Sequence, residues 1–348
     1  MTPRKNIFLS LLWAIIVQSC TLIDDDLSNC GLNYMLNYEM RLETNMQMEL
    51  KTVLNAEEDQ EVADALRKHL STIFSDHAHD VDLSFFSSVE GNLKQHLFEV
   101  VDTNRSSFSF YLPREEYLHL SVANMQNNEV ATLTGTEYDY SMFIRQPATD
   151  TVESHQTGLF SARLPMEVVD TTDQVFDVTL YMINSAVALV IDTARYSGNI
   201  IESYAEGMAD AFFVKDSVFM YSHPHLVRGE EVIVSPKTSA KGLFHAPQAK
   251  TSTQACFTSV SMPSGDTPDA DGVYWRLKVY VRLPDNTITE NIISVSEQLK
   301  AGQLKIIKTQ MQDNGVIVPV RTTNVGVSVE LDWKPGSEYE PWLGAKGR

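Results

Sequence analysis

The sequence predicts an all-β protein with two strand-rich halves and one helix. Short runs in which apolar and polar residues alternate recur along most of the chain, as strands with one buried face require. Turn residues such as Gly, Asn, Asp and Pro separate these runs. The clearest exception is residues 56–74, where apolar residues recur at the three- and four-residue spacing of an amphipathic helix.

The first half begins with a strand, continues through the helix and returns to strands. Tyr34, Leu36 and Tyr38 share one face of a strand within residues 32–50. Asn55 is the predicted N-cap of the helix, because Glu58 follows it at the spacing of a capping box. Four further strands are predicted at residues 81–88, 96–101, 107–112 and 117–123.

The second half also consists of short strands in which apolar and polar residues alternate, but it does not repeat the sequence of the first half. Its clearest strand is residues 274–283, in which Trp275 and the apolar residues alternate with basic and tyrosine side chains. Residues 147–173 lack periodicity and separate the halves, so we expect an N-terminal domain at 32–160 and a C-terminal domain at 161–348. The other predicted strands are residues 176–183, 186–193, 213–221, 231–235, 255–262, 288–295, 304–310 and 325–333.

The N-terminus is typical of a bacterial lipoprotein. Arg4 and Lys5 precede an apolar run that ends shortly before Cys20, and this run is shorter than the ~20 residues that a membrane span requires. We therefore predict a signal peptide at residues 1–19 and lipid attachment to Cys20. Cleavage by ordinary signal peptidase, with Cys20 left as a thiol, and an uncleaved apolar N-terminus are the alternatives.

Composition bounds the function classes. The 348 residues carry a formal charge of -19, and loss of Arg4 and Lys5 makes the chain still more acidic. Nucleic acid is therefore excluded as an expected partner, because phosphate binding needs basic surface. The charge itself is typical of a solvated, self-repelling surface.

The two remaining cysteines form an even pair in an oxidising compartment. Cys30 and Cys256 are candidates for a disulfide. The sequence leaves both outcomes open, since it does not show whether their Cα atoms approach closely enough.

Signatures of catalysis and of cofactor binding are missing, and we expect neither a cofactor nor a metal. His77 and His79 could chelate from one strand face, but zinc needs four ligands, and His223 with His225 is a weaker pair. The acidic residues 269–271 are better explained by a β-turn than by a calcium loop.

Several segments resemble one known family. They are the acidic residues 24–28 between Cys20 and Cys30, the strand–turn–strand at 108–120, the strands at 178–190, and the segments 299–304 and 325–333. In these segments the chain is similar to the fimbrial anchor and accessory lipoproteins of Bacteroidales type V pili. The acidic residues after Cys20 also resemble the surface-export signal of Bacteroidetes lipoproteins.

The resemblance implies two tandem transthyretin-like β-sandwich domains, with residues 56–74 as a helical insertion in the first. It further implies a non-catalytic subunit held at the outer membrane by Cys20 and an acidic tether, residues 20–31, and exposed at the cell surface. Its partners would be fimbrial stalk or accessory subunits, and it would attach the fimbrium and limit its length. Pairing would occur by β-augmentation, and the candidate edge strands are 325–333 and 32–40.

Two other functions remain open. A surface glycan-binding lipoprotein would expose an aromatic cluster, although Trp275 and Trp333 lie in strand contexts that favour burial. An unrecognised hydrolase would show a cleft with titratable groups of perturbed pKa.

Overall fold

The computed structural model describes residues 33–43, 59–74, 78–101, 107–126, 128–135, 142–169, 174–193, 199–234, 254–320 and 327–332. These residues form mostly β-strands with one helix, α1 (Gln60–Ile73), which confirms the prediction of an all-β protein. The strands of the first part are β1 (Asn33–Glu43), β2 (Asp80–Ser87), β3 (Leu93–Val100), β4 (Ser107–Pro113), β5 (Glu116–Ala123), β6 (Thr132–Thr134), β7 (Phe143–Arg145), β8 (Thr151–Val152), β9 (Phe160–Glu167) and β10 (Gln174–Met182). The later strands are β11 (Ser185–Asp192), β12 (Asn199–Glu206), β13 (Ala211–Phe213), β14 (Val218–Met220), β15 (Leu226–Arg228), β16 (Glu230–Val232), β17 (Gln254–Ser261), β18 (Trp275–Arg282), β19 (Ile288–Val295), β20 (Leu304–Met311), β21 (Ile317–Pro319) and β22 (Val327–Asp332).

The largest sheet has seven strands in the order β3-β2-β5-β9-β10-β1-β4 and folds over on itself. Its two parts join at a corner where β9 and β10 share only two residue pairs. The hydroxyl of Tyr38 on β1 lies 2.7 Å from Nε2 of His119 on β5, so the two parts face each other across a core. The result is a β-sandwich of one sheet.

A second sandwich consists of two separate sheets. One has the order β16-β17-β11-β20-β21 and the other β22-β19-β18-β12-β15-β8. Their facing side chains form a core that includes Leu189 and Ile307 from the first sheet and Trp275 and Val279 from the second. A short four-stranded sheet, β14-β13-β7-β6, covers a third apolar cluster.

Helix α1 begins four residues later than the predicted cap at Asn55 implies. Asp59 has an extended backbone and caps the helix, and its carboxylate accepts hydrogen bonds from the N–H groups of Glu61 and Val62. A carboxylate both satisfies these N–H groups and complements the positive end of the helix dipole. Residues 55–58 lie outside the described residues.

The apolar stripe of α1 connects the two sandwiches. Leu66 and Leu70 are fully buried, as the sequence pattern predicts, and they belong to the same apolar cluster as Val232, Cys256 and Leu304 of the second sandwich. The same cluster contains the core of the first sandwich. One continuous apolar core therefore runs from the seven-stranded sheet through α1 to β11 and β17.

The sheets do not divide at residue 160, where we expected the domain boundary. Strands β9 and β10 follow that residue but complete the seven-stranded sheet, whereas β8 precedes it but belongs to the second sandwich. Strand β9 falls inside the segment that lacks sequence periodicity. Its first three residues are all buried, so no alternation marks the strand.

Candidate functional site: free edges of the sheets

The two strands that we expected at sheet edges have different positions. Strand β22 does lie at the end of its six-stranded sheet, where it pairs with β19. The expectation for residues 32–40 is wrong, because β1 lies inside its sheet, parallel to β10 and antiparallel to β4. The edge next to β1 is instead β4, whose described pairing is with β1 alone.

The backbone of β4 presents a row of hydrogen-bonding groups to its open side. Pro113 pairs with Asn33 but has no N–H, so this pair is the kind that does not exchange hydrogen bonds. Because antiparallel pairs alternate in kind, Ser107, Ser109 and Tyr111 direct their N–H and carbonyl groups away from β1. Among the described residues no strand pairs with this side of β4, so one more strand can be added there.

The side chains of β4 are strictly divided between the core and the solvent. Phe108, Phe110 and Leu112 are buried, whereas Ser109 is exposed and the side chain of Tyr111 is 59% exposed. Tyr111 lies beside Met35 of β1 in register, and both are exposed on the outer face. An added strand would therefore meet a small apolar patch beside a polar row.

An aromatic cluster packs against the core-facing side of β4 and β1. The ring of Tyr38 contacts Phe108 and Phe110, with centroid distances of 6.3 and 5.9 Å, and Phe85 stacks on His119 at 4.3 Å. Aromatic pairs at such distances add to the free energy of burial. Packed aromatic side chains in the core therefore support the β4 edge.

The imidazole of His119 is neutral and has a defined tautomer. Its Nδ1 lies 3.0 Å from the carbonyl oxygen of Ser84 and must donate, so Nε2 accepts the hydrogen bond from the Tyr38 hydroxyl. Burial lowers the pKa of His119 to about 4 and raises the pKa of Tyr38 well above its ordinary value.

The predicted hairpin at residues 108–120 does not form. Strands β4 and β5 follow each other in the chain, but β9, β10 and β1 lie between them in the sheet order. The turn at 114–115 was recognisable from its residues, whereas the pairing was not. Each strand pairs instead with partners that lie far away in sequence.

The histidine pairs do not form a metal centre in the part of the chain that the structure describes, where no group of three or more His, Cys, Asp or Glu could hold a metal ion. His77 lies outside the described residues, and the backbone N–H of His79 donates to Asn124. His223 lies 3.3 Å from a carboxylate oxygen of Asp210, and Nδ1 of His225 lies 3.1 Å from the carbonyl oxygen of His223.

The turn and tryptophan predictions that can be compared with the structure are confirmed. Asp269 accepts hydrogen bonds from the N–H groups of Asp271 and Val273 and pairs with Arg276, so the acidic segment closes a turn. Trp275 is 1% exposed and donates to the carbonyl oxygen of Glu297. Trp333 lies outside the described residues.

The lipid and disulfide predictions remain predictions. Cys20 and Cys30 lie outside the described residues, as do the signal peptide and the acidic tether. Cys256 is fully buried on β17, opposite Val190 of β11 and Val232 of β16. Within the described residues, every helix is too short or too polar to cross a bilayer.

Comparison with known proteins identifies relatives in fold. No protein-family model and no curated protein matches the sequence. A candidate adhesin from Bacteroides ovatus covers 85% of this chain and 96% of its own, with 11% identity and a TM-score of 0.50. A candidate adhesin from Bacteroides thetaiotaomicron has the same coverage and TM-score, with 9% identity.

The fimbrial anchor protein Mfa2 from Porphyromonas gingivalis is also among the structural neighbours. It covers 86% of this chain and 98% of its own, with 10% identity and a TM-score of 0.46. The structural neighbours thus include fimbrial proteins and candidate adhesins, and the likeness at these identities concerns the fold.

Proposed function

We propose that this chain is a lipid-anchored structural subunit that attaches a fimbrium to the outer membrane. Cys20 would carry the lipid, residues 20–31 would form the tether, and the two sandwiches, of the transthyretin type that the family resemblance implies, would face the cell exterior. A stalk or accessory subunit would pair with the chain by adding a strand to a free sheet edge. The same contact would end the growth of the fimbrium and so limit its length.

The open edge of β4 is the observation that carries this proposal. It offers outward backbone groups at Ser107, Ser109 and Tyr111 together with a packed base of aromatic side chains. Backbone groups supply affinity in β-augmentation, and side chains on alternate positions supply specificity. Strand β22 is the second candidate edge, at the end of the other sandwich.

A catalytic function has less support. The histidines whose pKa is lowered to about 4, His119 and His155, are both fully buried. His155 is held between the side-chain amides of Gln146 and Asn184, at 2.7 and 3.2 Å from its two ring nitrogens. Both imidazoles are therefore enclosed by protein groups, and burial accounts for their lowered pKa.

The glycan-binding alternative predicts a cluster of exposed aromatic rings. Tyr111 and Tyr181 are the exposed tyrosines on the outer faces of β4 and β10. Tyr111 pairs in register with Met35 of β1, and Tyr181 pairs with Glu43 of the same strand. Met35 and Glu43 are eight residues apart, so these two positions are separated by roughly 27 Å along β1. These two rings cannot form one sugar-stacking platform.

The substitution Ser109→Pro tests the edge directly. It removes an N–H that points to the open side and leaves the backbone hydrogen bonds between β1 and β4 in place. It also removes the hydrogen bond that the Ser109 hydroxyl donates to the side chain of Asn37 on β1. We expect this variant to fold and to lose co-purification with the stalk subunit. Ser109→Ala keeps the N–H and loses the same hydroxyl, so it is the matched control.

Two changes at the other sandwich distinguish pairing at β22 from pairing at β4. Val327→Pro, or deletion of residues 335–348, should abolish co-purification if β22 is the paired edge instead. Unchanged co-purification in the Ser109, Val327 and deletion variants would exclude strand pairing at both edges.

A further inference from the structure

A cavity lies at the corner where the seven-stranded sheet folds over. Its volume is about 390 Å³, which is within the range of small-molecule sites. The corner strands contribute residues 161–163 of β9 and, from β10 and the residue after it, Thr179, Tyr181 and Ile183, while the other lining residues are Phe212, Ser217, Phe219 and Ala301. The cavity is thus bounded by the corner of the large sheet and by β13 and β14 of the short four-stranded sheet.

The backbone at this corner leaves polar groups beside the cavity. Strands β9 and β10 share only two residue pairs and then diverge, which opens a gap between them. The N–H of Ile183 donates to the carbonyl oxygen of Leu159, and pairs that exchange hydrogen bonds recur at every second residue. Thr179 and Arg163 therefore direct their N–H and carbonyl groups into the gap.

Aromatic side chains give the cavity an apolar surface. Tyr181 is 57% exposed, and within the described part of the chain its hydroxyl has no hydrogen-bond partner. Phe219 is half-buried and packs on the buried Phe212 with a centroid distance of 4.7 Å. Rings of this kind can contact the apolar face of a sugar.

Arg163 is the one charged residue among those that line the cavity. It is exposed, and no described residue pairs with its guanidinium group. Such a cation is unusual in a chain where 46 acidic residues face 27 Lys and Arg residues. A guanidinium group binds a carboxylate through two parallel hydrogen bonds, so the cavity is suited to an anionic ligand.

The composition of the lining narrows the class of ligand. One guanidinium group balances one carboxylate, whereas a phosphate group carries up to about two charges. The hydroxyl groups of Thr179 and Ser217 and the backbone groups in the gap are suited to the hydroxyl groups of a ligand. A carboxylate, several hydroxyl groups and an apolar ring face occur together in an acidic sugar.

We propose that this cavity binds a carboxylated sugar unit, such as a hexuronate, of a polysaccharide. Arg163 pairs with the carboxylate, and Tyr181 and Phe219 contact the apolar face of the sugar ring. Such a site needs one exposed ring at a cavity rather than a platform of several exposed rings. It is independent of strand pairing at β4 and β22.

The test measures the affinity of trigalacturonate for the purified chain by isothermal titration calorimetry. Galactotriose of the same linkage has no carboxylate, and we expect it to bind at least about ten-fold more weakly because it lacks the charged hydrogen bonds to Arg163.

Matched variants locate the site. Arg163→Gln should weaken the binding of trigalacturonate at least about ten-fold, whereas Arg282→Gln, which removes an exposed arginine at the end of β18, should change it less than about two-fold. Tyr181→Ala should weaken binding about five-fold. Tyr111→Ala is its control, because Tyr111 is 59% exposed on another strand of the same sheet.

Four results would overturn the proposal. Three are the absence of saturable binding of trigalacturonate up to about 10 mM, equal affinity for the two trisaccharides, and equal losses within either matched pair of variants. The fourth is displacement of trigalacturonate by a tighter-binding peptide of alternating Thr and Glu, which would assign the gap to strand addition by an acidic peptide.

Discussion

At the residue scale, the Tyr38–His119 pair is the buried polar contact that most directly supports the β4 edge. Among the described residues, Tyr38 is the donor to Nε2 of His119, so Tyr38→Phe leaves this buried acceptor without it. We expect a loss of about 1–3 kcal/mol in the free energy of unfolding, measured with urea. Tyr111→Phe removes an exposed hydroxyl and should change it by less than about 0.5 kcal/mol.

The same histidine predicts how stability depends on pH. His119 binds a proton near pH 6.5 when unfolded but only near pH 4 when folded. The unfolded state therefore takes up the proton first, and stability falls as the pH drops from 6.5 to 4, by up to roughly 3 kcal/mol. Above pH 6.5 this contribution is fully present.

A variant isolates this contribution from those of the carboxylates. His119→Gln can still accept from Tyr38 and donate to the carbonyl of Ser84, but it does not titrate. Urea unfolding at pH 7.5 and pH 4.5 should show a smaller loss of stability in this variant than in the parent chain. An equal loss in both would show that His119 is not the group responsible.

At the element scale, the cap of α1 determines where the helix begins. Asp59→Ala removes the acceptor for two backbone N–H groups, and we expect a cost of about 0.5–2 kcal/mol in thermal or urea unfolding. Asp59→Asn keeps a side-chain acceptor and should retain most of the stability that Asp59→Ala loses. Asp64→Ala, which breaks an exposed pair with Arg67 and leaves the cap in place, is the matched control.

The turn after β12 shows a second constraint at this scale. Gly207 has a φ of +92°, and a Cβ there would lie 3.1 Å from the carbonyl oxygen of Tyr274 and 3.2 Å from Cα of Trp275. We expect Gly207→Ala to cost about 1–3 kcal/mol or more. Gly272→Ala, also at positive φ but in open space, should cost less, and an equal cost would exclude the contact with β18 as the reason.

Local patterns predicted the elements better than their pairing. The apolar stripe of α1 and the alternation around Trp275 depend on near neighbours in sequence, and both predictions hold. The position of β1 inside its sheet and the separation of β4 from β5 depend on partners distant in sequence, which alternation alone does not encode. The edge at Ser109 was therefore not recognisable before the fold was known.

At the scale of the whole molecule, the continuous core predicts cooperative unfolding. Leu66 of α1 shares one apolar cluster with the first sandwich and with Leu304 of the second. We expect a single calorimetric transition. Leu66→Ala should lower the midpoint temperature of this whole transition, because it costs about 2–5 kcal/mol in the free energy of unfolding. Two resolved transitions, of which only one responds to the substitution, would show that the sandwiches unfold separately.

The proposed function combines an N-terminal lipid with a sheet edge that pairs with another subunit. The lipid would hold the chain at the membrane, and the edge of β4 would hold the fimbrium. If the lipid anchors the chain and the edge of β4 binds the fimbrium, loss of the lipid alone should leave this edge able to pair with a stalk subunit. A chain without lipid should then still pair with its stalk subunit but no longer keep it on the cell.

The most direct measurement is the distribution of the stalk subunit between the outer-membrane fraction and the medium in cells that carry Cys20→Ala. The account predicts that fimbriae are released into the medium together with the variant chain. Fimbriae that stay on the membrane, with the Cys20→Ala chain present at its normal level, would contradict it.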